Sequence, residues 1–128
     1  MKEKEIKVLK IEPGKAPEVV TLINELRELQ KAVSIGAPDV GLIEIIDLGE
    51  ACILCNEEGK LIGLEPNRRF FNDIICAVFY ITGQNRESGE LASLSGCLIE
   101  HYSEQLAITD VISSDEVEKT IISEFYIL

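Results

Sequence analysis

Residues 73 to 83, DIICAVFYITG, are apolar at almost every position and rich in β-branched and aromatic side chains. Such a run reads as one central strand buried on both faces, and the rest of the chain must be arranged around it. Upstream, EIKVLKIE (5 to 12) alternates apolar and charged residues as an edge or half-buried strand does, and Pro13-Gly14 stops it. After Pro17, apolar residues at Val19, Leu22, Ile23, Leu26, Leu29 and Val33 fall on one face at helical spacing, which predicts an N-terminal helix. SIGAPDVG (34 to 41) is a turn-rich connection.

LIEIIDL (42 to 48) and ACILC (51 to 55) flank Gly49-Glu50 and are expected to form a hairpin. A further turn at 57 to 60 leads to LIGL (61 to 64), predicting a three-stranded meander, with Leu64-Glu65-Pro66-Asn67 as the next turn. GQNRESGE (83 to 90) breaks the chain. LIEHYSEQLA (98 to 107) has helical character, and Ser113-x-x-Glu116 matches a capping box before Val117, Ile121 and Phe125. The order β-α-β-β-β-β-α-α predicts an α+β fold. It is a mostly antiparallel sheet of about five strands, with an N-terminal helix and one or two C-terminal helices on one face, in a single domain over 1 to 128.

Charge narrows the function. The net charge is -11 and is uneven. Residues 1 to 31 hold seven Lys/Arg against six Asp/Glu, 32 to 86 four against eight, and 87 to 128 one against nine. Direct nucleic-acid binding needs several cations on phosphate, so this balance opposes it. An acidic face can instead imitate nucleic acid toward a basic partner. With no apolar stretch of about 18 residues and no basic head before an apolar run, the chain is expected to be soluble and cytoplasmic, without a membrane partner. Its four cysteines are then expected as free thiols.

Enzyme chemistry finds few candidates. The one histidine, His101, sits on a predicted helix, and neither a nucleophile elbow nor a phosphate loop is present. Cys52-x-x-Cys55 has zinc-like spacing, but inside a strand the two side chains point to opposite faces, so no metal and no cofactor is expected. A non-enzymatic role is expected, with an enzyme acting on nucleotides as the third reading.

The remaining feature is Arg68-Arg69, two of only four arginines, set after the Pro66-Asn67 turn. Arginine forks bind phosphate or carboxylate, and a turn can add backbone N–H groups. Asn67, Arg68, Arg69 and Arg86, with a ring from Phe71, are the candidate ligand-binding residues for a small phosphate-bearing ligand. The alternative is that Arg68 and Arg69 salt-bridge Glu65, Asp73 or the acidic C-terminal helices while Phe70 and Phe71 enter the core; adjacent strand residues face different ways, so one arginine can bond internally while the other stays available.

IKVLKIEPGKAPEV, IEIIDLGEACILCNEEGKLIGLEPNRR and DIICAVFYITG together resemble a family of small uncharacterised proteins, a domain of unknown function common in phages and bacterial mobile elements, over residues 5 to about 107. SIGAPDVG is longer than the Gly-Tyr turn of that pattern, GELASLSGCLIEHY matches its tail approximately, and the last 20 residues lie outside it. The resemblance implies a protein in the host cytoplasm that counters host defence. Such a protein sequesters a signalling nucleotide in a pocket shared by a homodimer or larger assembly, or it is an acidic inhibitor of a host defence protein.

Overall fold

The structure, a computed structural model, describes residues 3 to 126 and the side-chain surroundings of residues 3 to 121. Its strands are β1 (Glu5–Ile11), β2 (Glu18–Ile23), β3 (Ile43–Asp47), β4 (Ala51–Asn56), β5 (Pro66–Phe70), β6 (Asp73–Cys76), β7 (Phe79–Gln84) and β8 (Leu91–Ala92). Its helices are α1 (Leu26–Val33), α2 (Gly96–Gln105) and α3 (Ser114–Tyr126). The main sheet runs β2-β1-β7-β4-β3 with β8 beside β7, and β5-β6 make a second, two-stranded sheet; every pairing is antiparallel. The α+β class and the antiparallel sheet are as the sequence implies. No helix among the described residues is long and apolar enough to cross a membrane.

Strand alternation divides the core in two. Leu9, Ile11, Ile53, Phe79 and Ile81 point to the face that packs on Leu98, Ile99, Tyr102 and Leu106 of α2 and its C-terminal cap. Ile6, Val8, Leu54 and Tyr80 point the other way, onto Leu29 and Val33 of α1. The helices therefore cover opposite faces, a correction to their expected placement on one. With both faces covered, β4 and β7 can be apolar at nearly every position. Ser95 Oγ accepts from Leu98 N at 3.3 Å and starts α2, and Ser113 Oγ accepts from Glu116 N at 3.2 Å at the start of α3. Val117 and Ile121 of α3 pack on Ile74 and Cys76; the Phe125 side chain lies outside the described residues.

Four expectations are corrected. The predicted helix from residue 18 begins at Leu26, because Val19, Val20, Thr21 and Ile23 are strand formers that pair in register with β1. That pairing makes β1 an interior strand, and its mix of buried and exposed residues is the half-buried alternative of the reading for 5 to 12. LIGL is a turn with Leu61 and Ile62 exposed, held by Ile62 N to Glu58 O and Leu64 N to Gly59 O, each 3.0 Å; PNRRF, read as a turn and strand entry, is β5. The run 73 to 83 reverses at Ala77-Val78, so β6 and β7 belong to different sheets. Ala77 makes the break with φ 66°, its N–H donating to Glu65 O at 2.6 Å.

These corrections predict a contrast in stability. Ile53→Ala, in the core, is expected to cost about 2–5 kcal/mol, whereas Leu61→Ala stays within about 0.5 kcal/mol of wild type. Urea midpoints check it, and a large loss at Leu61 would restore the meander.

Candidate functional site

Arg68 and Arg69 are neighbours on β5 and face opposite ways, as strand geometry requires. Arg68 is 1% exposed, one of the largest fully buried side chains in the protein. Its Nε donates to Leu106 O (3.3 Å), and Nη2 donates to Leu106 O (3.2 Å) and Lys15 O (2.6 Å). Nη1 donates to Asn67 Oδ1 (2.7 Å), Asn67 O (3.3 Å) and Glu12 O (3.4 Å). Burial pulls its pKa down, while the Asp110 charge works in the opposite direction. Leu106 caps the C-terminus of α2, where the helix dipole is negative and carbonyls lack intrahelical partners. Glu12 and Lys15 bracket the β1–β2 loop.

Asn67 completes this brace. Its Nδ2 donates to Ile11 O and to Ala77 O, both at 2.8 Å, so the pair Asn67-Arg68 joins the end of β1, the loop after it, the end of α2 and the β6–β7 reversal. Ala77 holds its left-handed backbone because both of its peptide groups are bonded there.

Arg69 lies on the solvent side. Its Nε and Nη2 grip both oxygens of Glu116 at 2.6 and 2.8 Å, its Nη1 lies 3.6 Å from Asp110 Oδ1, and Nη2 also donates to Val111 O at 3.2 Å. The Arg69 amide donates to Asp110 Oδ2 at 2.8 Å. Arg69 thus ties the β5–β6 hairpin to the loop between α2 and α3 and to the first turn of α3. The bond from Arg69 holds the Glu116 carboxyl below its ordinary range.

These contacts separate the residues of the expected ligand cluster. Asn67 and Arg68 are enclosed and their donors engaged, and Arg69 is paired with the acidic C-terminal segment as the alternative reading had it. Arg86 sits exposed on the β7–β8 loop, with no hydrogen bond or ion pair to the other candidates. Phe71 is 84% exposed at the hairpin tip and touches Phe70 edge-on, centroids 4.7 Å apart.

A cleft of about 340 Å³ opens elsewhere, lined by Lys10, Glu12, Ile35, Leu64, Glu65 and Val78. Its one lysine is paired with Glu12 at 2.8 Å, and Glu65 adds a negative charge, so its wall offers no unpaired cation to a phosphate. Cys52 and Cys55 do face opposite ways: Cys52 Sγ meets Gln84 Oε1 at 2.9 Å, whereas Cys55 Sγ meets Glu44. Burial pushes the Cys55 thiol up to about 12 and the Cys76 thiol to about 11. His101 is exposed on α2, edge-on to Tyr102.

Three features escaped sequence reasoning: Ile108 (82% exposed), Val111 (93% exposed) and Asp110, all in the loop after α2. Only one acid among apolar residues of the loop marked them, and that signal has no meaning until Arg69 brings the loop to the hairpin.

The fold and site define a small α+β domain with two antiparallel sheets locked by a buried arginine. Residues 6–107 match the family model described as a domain of unknown function (DUF3846), and the chain belongs to that family. No match to a curated protein or to a solved structure was found.

The two arginines predict opposite consequences of substitution. Arg68→Met leaves buried carbonyls and Asn67 Oδ1 unpaired and is expected to cost about 3 kcal/mol or more in urea unfolding. Arg69→Ala should cost far less, since exposed pairs contribute little.

A pH effect follows from the lowered Glu116 carboxyl. Its contribution is complete above the unfolded carboxylate pKa of about 4.3 and is lost as pH falls through the lower folded value. Wild type should therefore lose melting temperature on acidification in that range, and Arg69→Ala should show a shallower loss. Equal slopes would remove the Arg69–Glu116 pair as a contributor.

Proposed function

We propose that this protein is a non-enzymatic binding protein that docks on a partner protein through the tip of its β5–β6 hairpin, with Phe71 as the anchor. The observation that carries this reading is the state of Phe71. Phe70 pairs with Asp73, so Phe71 and Asn72 form a two-residue loop whose first residue has φ 54°. That position favours glycine, and a bulky side chain there is strained. Phe71 is also almost wholly exposed, so the fold bears both backbone strain and unburied apolar surface with no internal gain beyond the edge contact with Phe70. Strain and exposed apolar surface together mark functional positions.

The surroundings support a protein partner. Ile108 and Val111, exposed on the loop that Arg69 holds to the hairpin, add apolar surface, while the acids there are shared with cations of the same chain, Asp110 and Glu116 with Arg69 and Asp73 with Lys60 at 2.6 Å. An apolar anchor with apolar neighbours, on a chain of net charge -11, fits a pocket on a basic protein. The phage and mobile-element setting that the resemblance implies makes a host defence protein the class of partner, reached in the host cytoplasm. Capture of a phosphate-bearing signalling nucleotide has less support, because both guanidiniums of the expected fork are engaged internally.

Phe71→Gly separates function from folding. It should raise stability by about 1 kcal/mol through relief of the left-handed backbone and abolish partner binding. A photo-crosslinking residue at position 71, irradiated in host cells, is expected to give one defined adduct with a basic protein, and the same residue at Leu61 none. Binding to the purified partner should weaken as salt rises. Identical adducts from both positions would overturn the hairpin assignment. A thermal shift with linear or cyclic nucleotides that Phe71→Gly leaves intact would return the protein to the small-ligand class.

A further inference from the structure

The main sheet ends in two edges, β2 and β3. In an antiparallel pair, successive residues aim their N–H and C=O groups alternately toward the neighbour and away from it. Asn24 N donates to Lys4 O at 2.7 Å, and the register sets Leu22 opposite Ile6 and Val20 opposite Val8, so the even-numbered residues of β2 bond to β1. Lys7 agrees from the other strand: its N–H goes to Ser93 Oγ and its C=O takes the Leu94 N–H, both away from β2. Val19 and Thr21 therefore present both backbone groups along the open edge and Ile23 its N–H, while Ile23 O accepts from Glu25 N at 2.9 Å. All three are β-branched; Thr21 is exposed, and Val19 and Ile23 are each 48% exposed.

The β3 edge is different. Glu57 N donates to Leu42 O and Leu48 N to Ala51 O, so Ile43, Ile45 and Asp47 face outward, with Glu44 between them. Carboxylates along an edge strand oppose the addition of another strand. On β2 the only charge is Glu18, at its end.

We propose that β2 is the contact between two copies of this chain, paired antiparallel about a two-fold axis through Thr21. A two-fold contact needs a surface that complements itself, and β2 is such a surface. With Thr21 opposite its counterpart, Val19 faces Ile23, Val20 faces Leu22 and Glu18 faces Asn24. The two Thr21 residues exchange both bonds and Ile23 N–H meets Val19 O, while Val19 N–H shares Ile23 O, through its second lone pair, with Glu25 N–H. Val19 with Ile23 is a β-branched pair, a favourable cross-strand combination, and no like charges stand directly opposite. The main sheet becomes continuous through both copies. Because each chain carries a net charge of -11, salt strengthens this contact, the reverse of its effect on a basic partner at Phe71.

Light scattering of the wild type over a range of concentrations is expected to show a dimer that tightens with salt. Val19→Lys with Ile23→Lys sets lysine against lysine across the axis and should give a folded monomer whose melting temperature, unlike that of wild type, does not vary with concentration. Ile45→Lys, on the other edge, should leave the dimer intact. In wild type, amide exchange at Val19, Thr21 and Ile23 should be slow when dimeric and speed up on dilution. A monomer at every concentration overturns the proposal and leaves the edge to an extended segment of another protein. A dimer that survives the double lysine variant, one lost in Ile45→Lys, or fast exchange at the three amides while dimeric overturns it as well.

Discussion

A guanidinium removed from water must be surrounded by oxygens, and in this fold nearly all of those around Arg68 belong to the backbone. Leu106 O, Lys15 O, Glu12 O and Asn67 O are carbonyls from a helix end, a loop and β5 itself, and Asn67 Oδ1 completes the set. Such carbonyls are hard to satisfy by regular secondary structure. One rigid, planar donor group satisfies several at once, which an ammonium on a flexible stem does less well. The two-stranded sheet, the β1–β2 loop and the end of α2 are thereby held in one arrangement. Asn67 extends it to Ala77, where the chain leaves the small sheet for the large one.

What the sequence made legible follows from how local each element is. The β3–β4 hairpin is set by two strand-forming runs around Gly49-Glu50, and α2 and the start of α3 by periodicity and a nearby serine. The segment from 18 to 23 was misread because its apolar spacing fits a helix as well as a strand, and its pairing with β1 decides between them. LIGL and PNRRF exchange roles for a related reason: an apolar run reads as a strand and Pro66-Asn67 as a turn, yet Leu61 is exposed in a turn and PNRRF is β5 with Arg68 buried. The reversal at Ala77 carries no Gly or Pro to announce it. Adjacent arginines suggested a fork for a ligand; alternation put one inside and one outside, and distant partners determined what each one holds.

Among the described residues, two that are not glycine have positive φ, Phe71 and Ala77, and they differ in what balances the strain. Ala77 is buried, and both its N–H and its C=O are bonded by the surrounding polar brace. Phe71 has an edge contact with Phe70 and otherwise faces solvent. Strain that packing accounts for belongs to folding, whereas strain without an internal return directs attention to something outside the chain. The two sheet edges are separated by the same logic, since β3 carries carboxylates and β2 does not.

The family match ends at residue 107, and Arg69 reaches across that boundary. The arginine lies within the matched domain, but Asp110, Val111 and Glu116 lie beyond it. The domain therefore contributes the hairpin and its exposed phenylalanine, while the following segment contributes the acids and the apolar residues brought beside it. Arg68 fixes the hairpin from within and Arg69 fixes the segment from without, so the adjacent pair places the proposed recognition surface with both guanidiniums engaged in holding it. On this reading, binding specificity is divided between a fixed anchor and an attached border, and a change in the segment after residue 107 can alter the partner without disturbing the core.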